Sequence, residues 1–229
     1  LEDSNLVGAD LRHAKLTHAN LLRAIGDEAA LYNATLSGAQ LHDSIFERAH
    51  FEGADLSSAD FTNATLVDSY LYGANLQGAV LTGADLMGAD LRRTDMSKAT
   101  MFQTNLQGAL LDGASLNHAR MMEADLESAY LDDADLRHAD LRDAILRGAD
   151  LRHANLEAAR LSQADLGGAN LEGARLTKAS LQSSKLRMVI LYKALIDQAD
   201  FRDANLHRAV MIDAHVTDGE LFIVANPDV

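Results

Sequence analysis

The chain has 229 residues, 48% hydrophobic and 24% charged, with a formal net charge of −14 at pH 7. That length can bury a core in one domain or two small ones, and the hydrophobic share excludes a disordered acidic tail. There is no Cys, no Trp and a single Pro, Pro227, which excludes a disulfide scaffold, a thiolate metal site and cysteine-based nucleophilic chemistry. The acidic balance argues against binding nucleic acid or an anionic membrane, and no apolar run approaches the roughly 18 to 20 residues of a membrane span. The first residue is Leu1 rather than Met, so a native N-terminus upstream of it is expected, and a removed signal peptide stays open. The expected location is the cytoplasm.

A five-residue repeat begins at once. Every fifth position from Leu1 to Asn226 is bulky and apolar in 44 of 46 cases, the exceptions being Gly26 and Asn226. Two residues earlier sits a small residue, Ala in 36 of the 46 places and Ser or Thr in six more. A helix cannot use this spacing, because a five-residue step turns by about 140° and scatters the leucines around the cylinder. A strand of period 2 cannot sustain it either. The pattern predicts a short extended piece followed by a corner, with the small and large residues inward and the other three outward. Twelve of the 15 Gly fall two residues after the bulky position, Gly8 and Gly168 among them, which suits a corner that needs positive φ. Asn33, Asp43 and Asp133 hold the same slot and also tolerate that conformation. Asp or Asn is frequent just before the bulky residue, as at Asp55, Asp60 and Asn75, where a short polar side chain can bond its local backbone.

The copies Ala9-Asp10-Leu11, Ala54-Asp55-Leu56, Ala84-Asp85-Leu86, Ala134-Asp135-Leu136, Ala149-Asp150-Leu151 and Ala204-Asn205-Leu206 resemble the Ala-(Asp/Asn)-Leu-X-X motif of the pentapeptide-repeat proteins. The resemblance extends over residues 1 to about 221. It implies an all-β fold, a right-handed quadrilateral β-helix with four pentads, or 20 residues, in each coil. On that basis the pentads form about 11 coils, a rod on the order of 55 Å long at roughly 4.8 Å per coil. Each buried Leu contributes roughly 1.5 to 3 kcal/mol, so the repeat supports itself without metal or disulfide. The expected division is residues 1–219 for the β-helix and 220–229 for a C-terminal cap or tail.

The first slip along the chain is Ala24–Ala30, where Gly26 takes an interior position and Ile25 an outward one. The count to Leu31 is kept, which predicts a local bulge with Ile25 turned partly inward. Nine His residues raise the question of a metal. On the implied coil, His118 and His138 fall in one column, continued by Lys98 and Ala158, short of the three or four converging ligands zinc needs. No metal and no cofactor are expected. The carboxylates sit in the slot before the bulky residue for backbone reasons, and the rod surface is convex or flat. No pocket lined by convergent polar groups is therefore expected, and no catalytic residue. There is no nucleophile elbow, phosphate-cradling Gly loop or dinucleotide fingerprint, so no enzyme is expected. Arg137, Arg142, Arg147 and Arg152 fall on four consecutive faces and predict one coil that is positive all round.

Beyond Leu186 the outward positions become apolar. On the implied coil Met188, Ile190, Tyr192, Val210 and Ile212 gather on one face, with Leu195 round the next corner, and Phe222 and Ile223 follow in the tail. Tyr70, Leu110 and Tyr130 mark a looser column on the same side, with Tyr32 and Tyr72 beside it. Contiguous exposed apolar patches mark interfaces. Three occupants are open: a second copy of the chain, making a homodimer through the C-terminal coils, which is preferred; an upstream part or another protein; or the tail itself. The expected function is a non-enzymatic protein-binding scaffold or interaction module of bacterial type, with an unidentified protein partner and no direct contact with nucleic acid or membrane. The alternative comes from the resemblance, because some members of the family mimic DNA and modulate the type II topoisomerases DNA gyrase and topoisomerase IV, conferring quinolone or toxin resistance. One continuous negative face would favour the mimic, and mixed faces the scaffold.

Overall fold

The computed structural model describes residues 1–215, so the expected cap at 220–229, with Phe222 and Ile223, lies outside the described residues. Each pentad behaves as its side chains dictate. The small and bulky residues turn inward, and from Leu21 to Ala204 nearly all of them are fully buried. The residue between them faces out and makes a single parallel bridge to the residue twenty positions on, as in Asn5↔Ile25 and Asp10↔Ala30. These bridges line up in four ladders starting at Asn5, Asp10, Lys15 and Asn20, called here the first to fourth ladders. The extended pieces are one bridged residue long, too short to count as strands. The β-helix is held by coil-to-coil ladders rather than by strand pairs.

The backbone bonds explain why five residues suffice. In the pentad around Leu36, the Leu36 amide donates to Asp55 O (2.7 Å), the Gly38 amide to Ser57 O (2.9 Å), the Ala39 amide to Leu36 O (2.9 Å) and the Gln40 amide back to Ala19 O (2.9 Å). Three bonds join neighbouring coils and one closes the corner. The fifth amide, on the residue after the bulky one, has no backbone acceptor, and the Asp or Asn two residues earlier supplies one. The Thr62 amide donates to Asp60 Oδ1 (2.9 Å), the Ser97 amide to Asp95 Oδ1 (2.9 Å) and the Gln77 amide to Asn75 Oδ1 (3.1 Å). The preference for Asp or Asn before the bulky position is thus a capping requirement, since an unmet amide in a packed coil is costly. Where Ile45 cannot cap, Asp27 of the preceding coil accepts the Glu47 amide at 3.0 Å.

Every corner takes positive φ at its third residue, whatever the side chain. Gly8 adopts 64° as expected, but so do Arg48 (51°), Lys98 (60°) and Ala158 (55°). For an L residue this costs roughly 1 kcal/mol or more, and the corner amide's bond to the next coil holds it in place.

The interior is continuous. Ser44, Ser69, Thr94 and Ser184 replace Ala in the small slot, and each hydroxyl donates to the carbonyl of the bulky residue before its own corner (2.5 to 2.7 Å). Leu6, Leu11 and Leu16 are only partly buried, because packing covers them on one side, whereas burial is complete from Leu21. The bulge expected at Ala24–Ala30 does not form. Ile25 faces outward at 41% exposure, bridged to Asn5 and Ile45 in ordinary register. The reason lies one coil on: a Cβ placed on Gly26 would lie 2.1 Å from Phe46 Cε1. The Phe46 ring already fills the space a leucine would take, so no backbone adjustment is needed.

Candidate protein interface

Among the described residues, the large exposed hydrophobic side chains gather on one side. Among the described residues, all of them except Leu1 belong to the first and second ladders or to the corner that follows each. Ile25 and Ile45 stand on the first ladder, Tyr70, Tyr130, Ile190 and Val210 on the second, and Val7, Met87 and Met188 at the corner between them. The third and fourth ladders carry none.

The sequence candidates divide as follows. Ile190 and Val210 bridge each other directly on the second ladder. Met188 (58% exposed) and Ile212 (65%) flank them at the two adjoining corners. Tyr192 is half-buried, with the Lys193 ammonium 4.7 Å above its ring, so part of its face is covered. Leu195 falls on the third ladder, bridged to His215 and half-buried. Tyr70, Leu110 and Tyr130 share the second ladder with Ile190 and Val210, as expected. Sequence reasoning overlooked Ile45, Val7 and Met87 and turned Ile25 partly inward; the signal was their twenty-residue register, which sets positions 5 and 7 of each coil beside position 10. It also overlooked a stack on the same side, in which His50 lies between Tyr32 (5.0 Å) and Tyr70 (4.6 Å), the rings tilted by 21° and 8°. His50 Nδ1 is 3.1 Å from Glu52 Oε1.

The electrostatics correct one expectation. The coil holding Arg137, Arg142, Arg147 and Arg152 is not positive all round. Arg137, Arg142 and Arg152 each fold back two residues to clamp Asp135, Asp140 and Asp150 with two bonds apiece, and Arg147 pairs with Glu127 at 2.8 Å. Arg12 with Asp10, Arg92 with Asp90 and Arg202 with Asp200 repeat this clamp. The Arg12 and Arg202 guanidiniums hold the carboxyls of Asp10 and Asp200 down at about 2. The spacing explains it: an Asp before the bulky residue and an Arg after it flank one inward side chain, so both point out on the same side. The aspartates of the ladders are also evenly spread. Each ladder carries three Asp, and Lys or Arg joins them on the first, third and fourth: Lys185; Lys15 and Arg175; Arg120 and Arg160. Three ladders mix the two signs, and on the second the aspartates are separated by residues such as Ala30, Tyr70, Leu110 and Tyr130, so no ladder is a continuous negative column.

His118 and His138 stack as the shared column implies, centroids 4.7 Å apart and rings within 6° of parallel. The expectation of no pocket lined by convergent polar groups is not met. A shallow open groove of about 650 Å³ runs beside these imidazoles along the fourth ladder, lined by Thr100, Arg120, Asp140 and Arg160 among others. On another corner Asp132, Asp133 and His153 bring their ligand atoms within 4.8 Å of one another. This is a convergence the sequence reading did not find, because Asp132 and His153 are brought together only by the twenty-residue coil. His153 Nδ1 lies 2.9 Å from Asp132 Oδ1, and that bond raises the imidazole's pKa.

A family model described as pentapeptide repeats matches residues 4–43, 34–71, 69–108, 100–137, 119–157 and 154–191. No curated protein matches the chain. Among solved structures, the chain is similar to HetL, a pentapeptide repeat protein involved in heterocyst differentiation regulation from the cyanobacterium Nostoc sp. strain PCC 7120. The identity is 33% over 95% of this chain and 92% of HetL, with a TM-score of 0.72. Rfr23, a pentapeptide repeat protein from the cyanobacterium Cyanothece 51142, is also 33% identical, over 40% of this chain and 58% of its own, with a TM-score of 0.32. Full-length QnrB1, a plasmid-mediated fluoroquinolone resistance protein, is 18% identical over 90% of each chain, with a TM-score of 0.37.

Proposed function

The chain belongs to the pentapeptide-repeat family, and from that premise we propose that it is a non-enzymatic protein-binding scaffold that docks its partners on the side formed by the first and second ladders. The observation that carries this reading is that the exposed large apolar side chains of the described residues gather on that side, because contiguous apolar surface rimmed by polar residues marks interaction sites. The likeness to HetL, a protein involved in regulating differentiation, supports a regulatory binding role.

The partner proposed for the C-terminal part of this side is a second copy of the chain, through Met188, Ile190, Tyr192, Val210 and Ile212. A two-fold contact buries the same patch on both copies, and Ile190 and Val210 on adjoining coils, with Met188 and Ile212 at the flanking corners, supply an exposed apolar patch. Light scattering should return twice 24.7 kDa, and the double change Tyr192→Asp, Ile212→Asp should return a folded monomer. A monomeric parent, or a dimer untouched by the double change, refutes self-association through this face. A DNA-mimicking modulator of DNA gyrase or topoisomerase IV is the second reading. The net charge of −14 supports it; the even division of the ladder aspartates, with no ladder a continuous negative column, weighs against it.

A further inference from the structure

The groove on the fourth ladder lies away from the apolar side, and its charge is opposite to that of the whole molecule. Most arginines near it are spent on carboxylates. Asp140, the carboxylate of the groove, takes two bonds from Arg142 (2.7 Å each) and one from Arg160 (3.2 Å). It has nothing left for the remaining cations. Glu123, on the following corner, is engaged by Gln103 at 2.9 Å. Arg120 and Lys98 therefore stand with no side-chain hydrogen bond or ion pair among the described residues.

The rest of the lining consists mainly of donors. Arg120 offers a fork of N–H groups, Lys98 three ammonium protons and Thr100 a hydroxyl. Each of the stacked imidazoles His118 and His138 carries at least one ring N–H in either tautomer. The lining carries three cations, Lys98, Arg120 and Arg160, against the single carboxylate of Asp140, a net charge of +2. A single carboxylate would answer half of it. A phosphoryl dianion would answer all of it, and its oxygens can accept from a guanidinium fork and an ammonium at once.

We propose that this groove binds a phosphoryl dianion, held by Arg120 and Lys98 with Thr100 and the His118–His138 pair as further donors. The dianion can arrive free or on the side chain of a phosphorylated protein, since the groove opens to the surface. The proposal does not rest on the apolar side and fails independently of it.

The test uses the full chain at low salt, with the imidazole C–H signals of His118 and His138 followed by NMR. Orthophosphate is titrated first, then a Gly-Gly-phosphoSer-Gly-Gly peptide and its unphosphorylated counterpart. Saturable shifts with a Kd on the order of 1 mM or tighter are expected, since bonds between charged groups are the strong ones. Arg120→Gln or Lys98→Gln should each weaken binding by about tenfold, and the pair should abolish it. Arg175→Gln, at another outward arginine on the third ladder, should leave it unchanged. Tighter binding of the phosphopeptide assigns the ligand to a modified protein, and tighter binding of orthophosphate assigns it to the free ion. No saturable shift with either probe overturns the proposal, as does a loss in Arg175→Gln equal to that in Arg120→Gln. Thermal midpoints of the variants, all at exposed positions, confirm that the fold is intact.

Discussion

Replacing Gly26 by Leu restores the repeat on paper and should damage the protein. The Cβ alone would sit 2.1 Å from Phe46 Cε1 and 2.5 Å from Cδ1, against a carbon–carbon contact distance of about 3.5 to 4.0 Å. The ring is fully buried and cannot step aside into solvent. Its neighbours fix it further, with Phe51 at 5.6 Å and Phe61 beyond. Overpacking typically costs about 1 to 3 kcal/mol; an overlap well over 1 Å puts Gly26→Leu at the top of that range. Phe46→Leu alone opens a void beneath Gly26 and should cost about 1 to 2 kcal/mol, below the 3 to 5 of a full Phe→Ala truncation. Together the two changes place leucine at both positions, as in most other coils, and should return to within about 1 kcal/mol of the parent. The coupling is then about 3 kcal/mol and favourable, in the range that packed neighbours reach. Solenoids need not unfold in two states, so the assay is the order of thermal midpoints by circular dichroism. Gly26→Leu should fall lowest, by about 6 to 12 °C for a chain of this size, and the double variant should recover most of the loss. A double variant as low as the sum of the singles, or a Gly26→Leu midpoint within about 2 °C of the parent, would refute the reading that Phe46 substitutes for the missing leucine.

The other predictions concern the surface. Asp60→Ala removes the acceptor for the Thr62 amide and hydroxyl (2.9 and 2.6 Å) and should cost about 1 kcal/mol, as loss of a helix cap does, while Asp60→Asn keeps the amide bond and should cost little; equal midpoints for the two variants would contradict the capping role. The carboxyls of Asp10 and Asp200 are depressed to about 2 by Arg12 and Arg202, so their stabilisation is fully present above the ordinary carboxylate value near 3.9 and is lost as pH falls through about 2. The thermal midpoint should therefore not fall from pH 7 to about 5, where protonation of His153 adds stability, and should decline between about 4 and 2, and Arg202→Gln should raise the Asp200 titration seen by carbon-detected NMR; a curve that declines already at neutral pH, or an unmoved Asp200, counts against the clamps. In a gyrase supercoiling assay, with and without a fluoroquinolone, ladders with no continuous negative column predict no effect at tens of micromolar protein; inhibition or drug protection at about micromolar protein, an affinity that specific partners reach, would make the mimic reading the leader.

What the sequence revealed follows from which forces are local. The inward alternation of Ala and Leu and the corner slot of Gly8 or Asn33 are steric demands within one pentad, and five residues suffice to display them. The Asp and Asn before the bulky residue also act locally, so their backbone role was legible, though the particular orphan amide they serve was not. Other features depend on residues twenty apart. Gly26 reads as a defect until Phe46 is placed above it, and Tyr32, His50 and Tyr70 read as scattered aromatics until the coil stacks them. The arginines of the 137–152 coil were misread for a subtler reason. Asp140 and Arg142 are separated by one inward side chain, and periodicity assigns them to different slots, whereas side-chain reach joins them. The groove was missed because it forms between two columns, Lys98–His118–His138 and Thr100–Arg120–Asp140–Arg160, each unremarkable alone.

The bridged coil has two rhythms that are independent of each other. The interior repeats every five residues and the ladders every twenty, so the core cannot tell one face from the next. Excising a single pentad, such as 166–170, would leave every inward slot filled with the same kind of residue. It would also turn everything downstream by a quarter of a coil, carrying Ile190 and Val210 from the ladder of Tyr70 and Tyr130 to that of Ile25 and Ile45. Excising twenty residues would shorten the rod and leave them where they are. Sixty residues separate Tyr130 from Ile190, and nothing in the packing sets their relative angle. Their alignment is recorded only in the number of residues between them, so surface patches on such a rod can be dialled around its axis by whole pentads while the stability of the interior stays nearly constant.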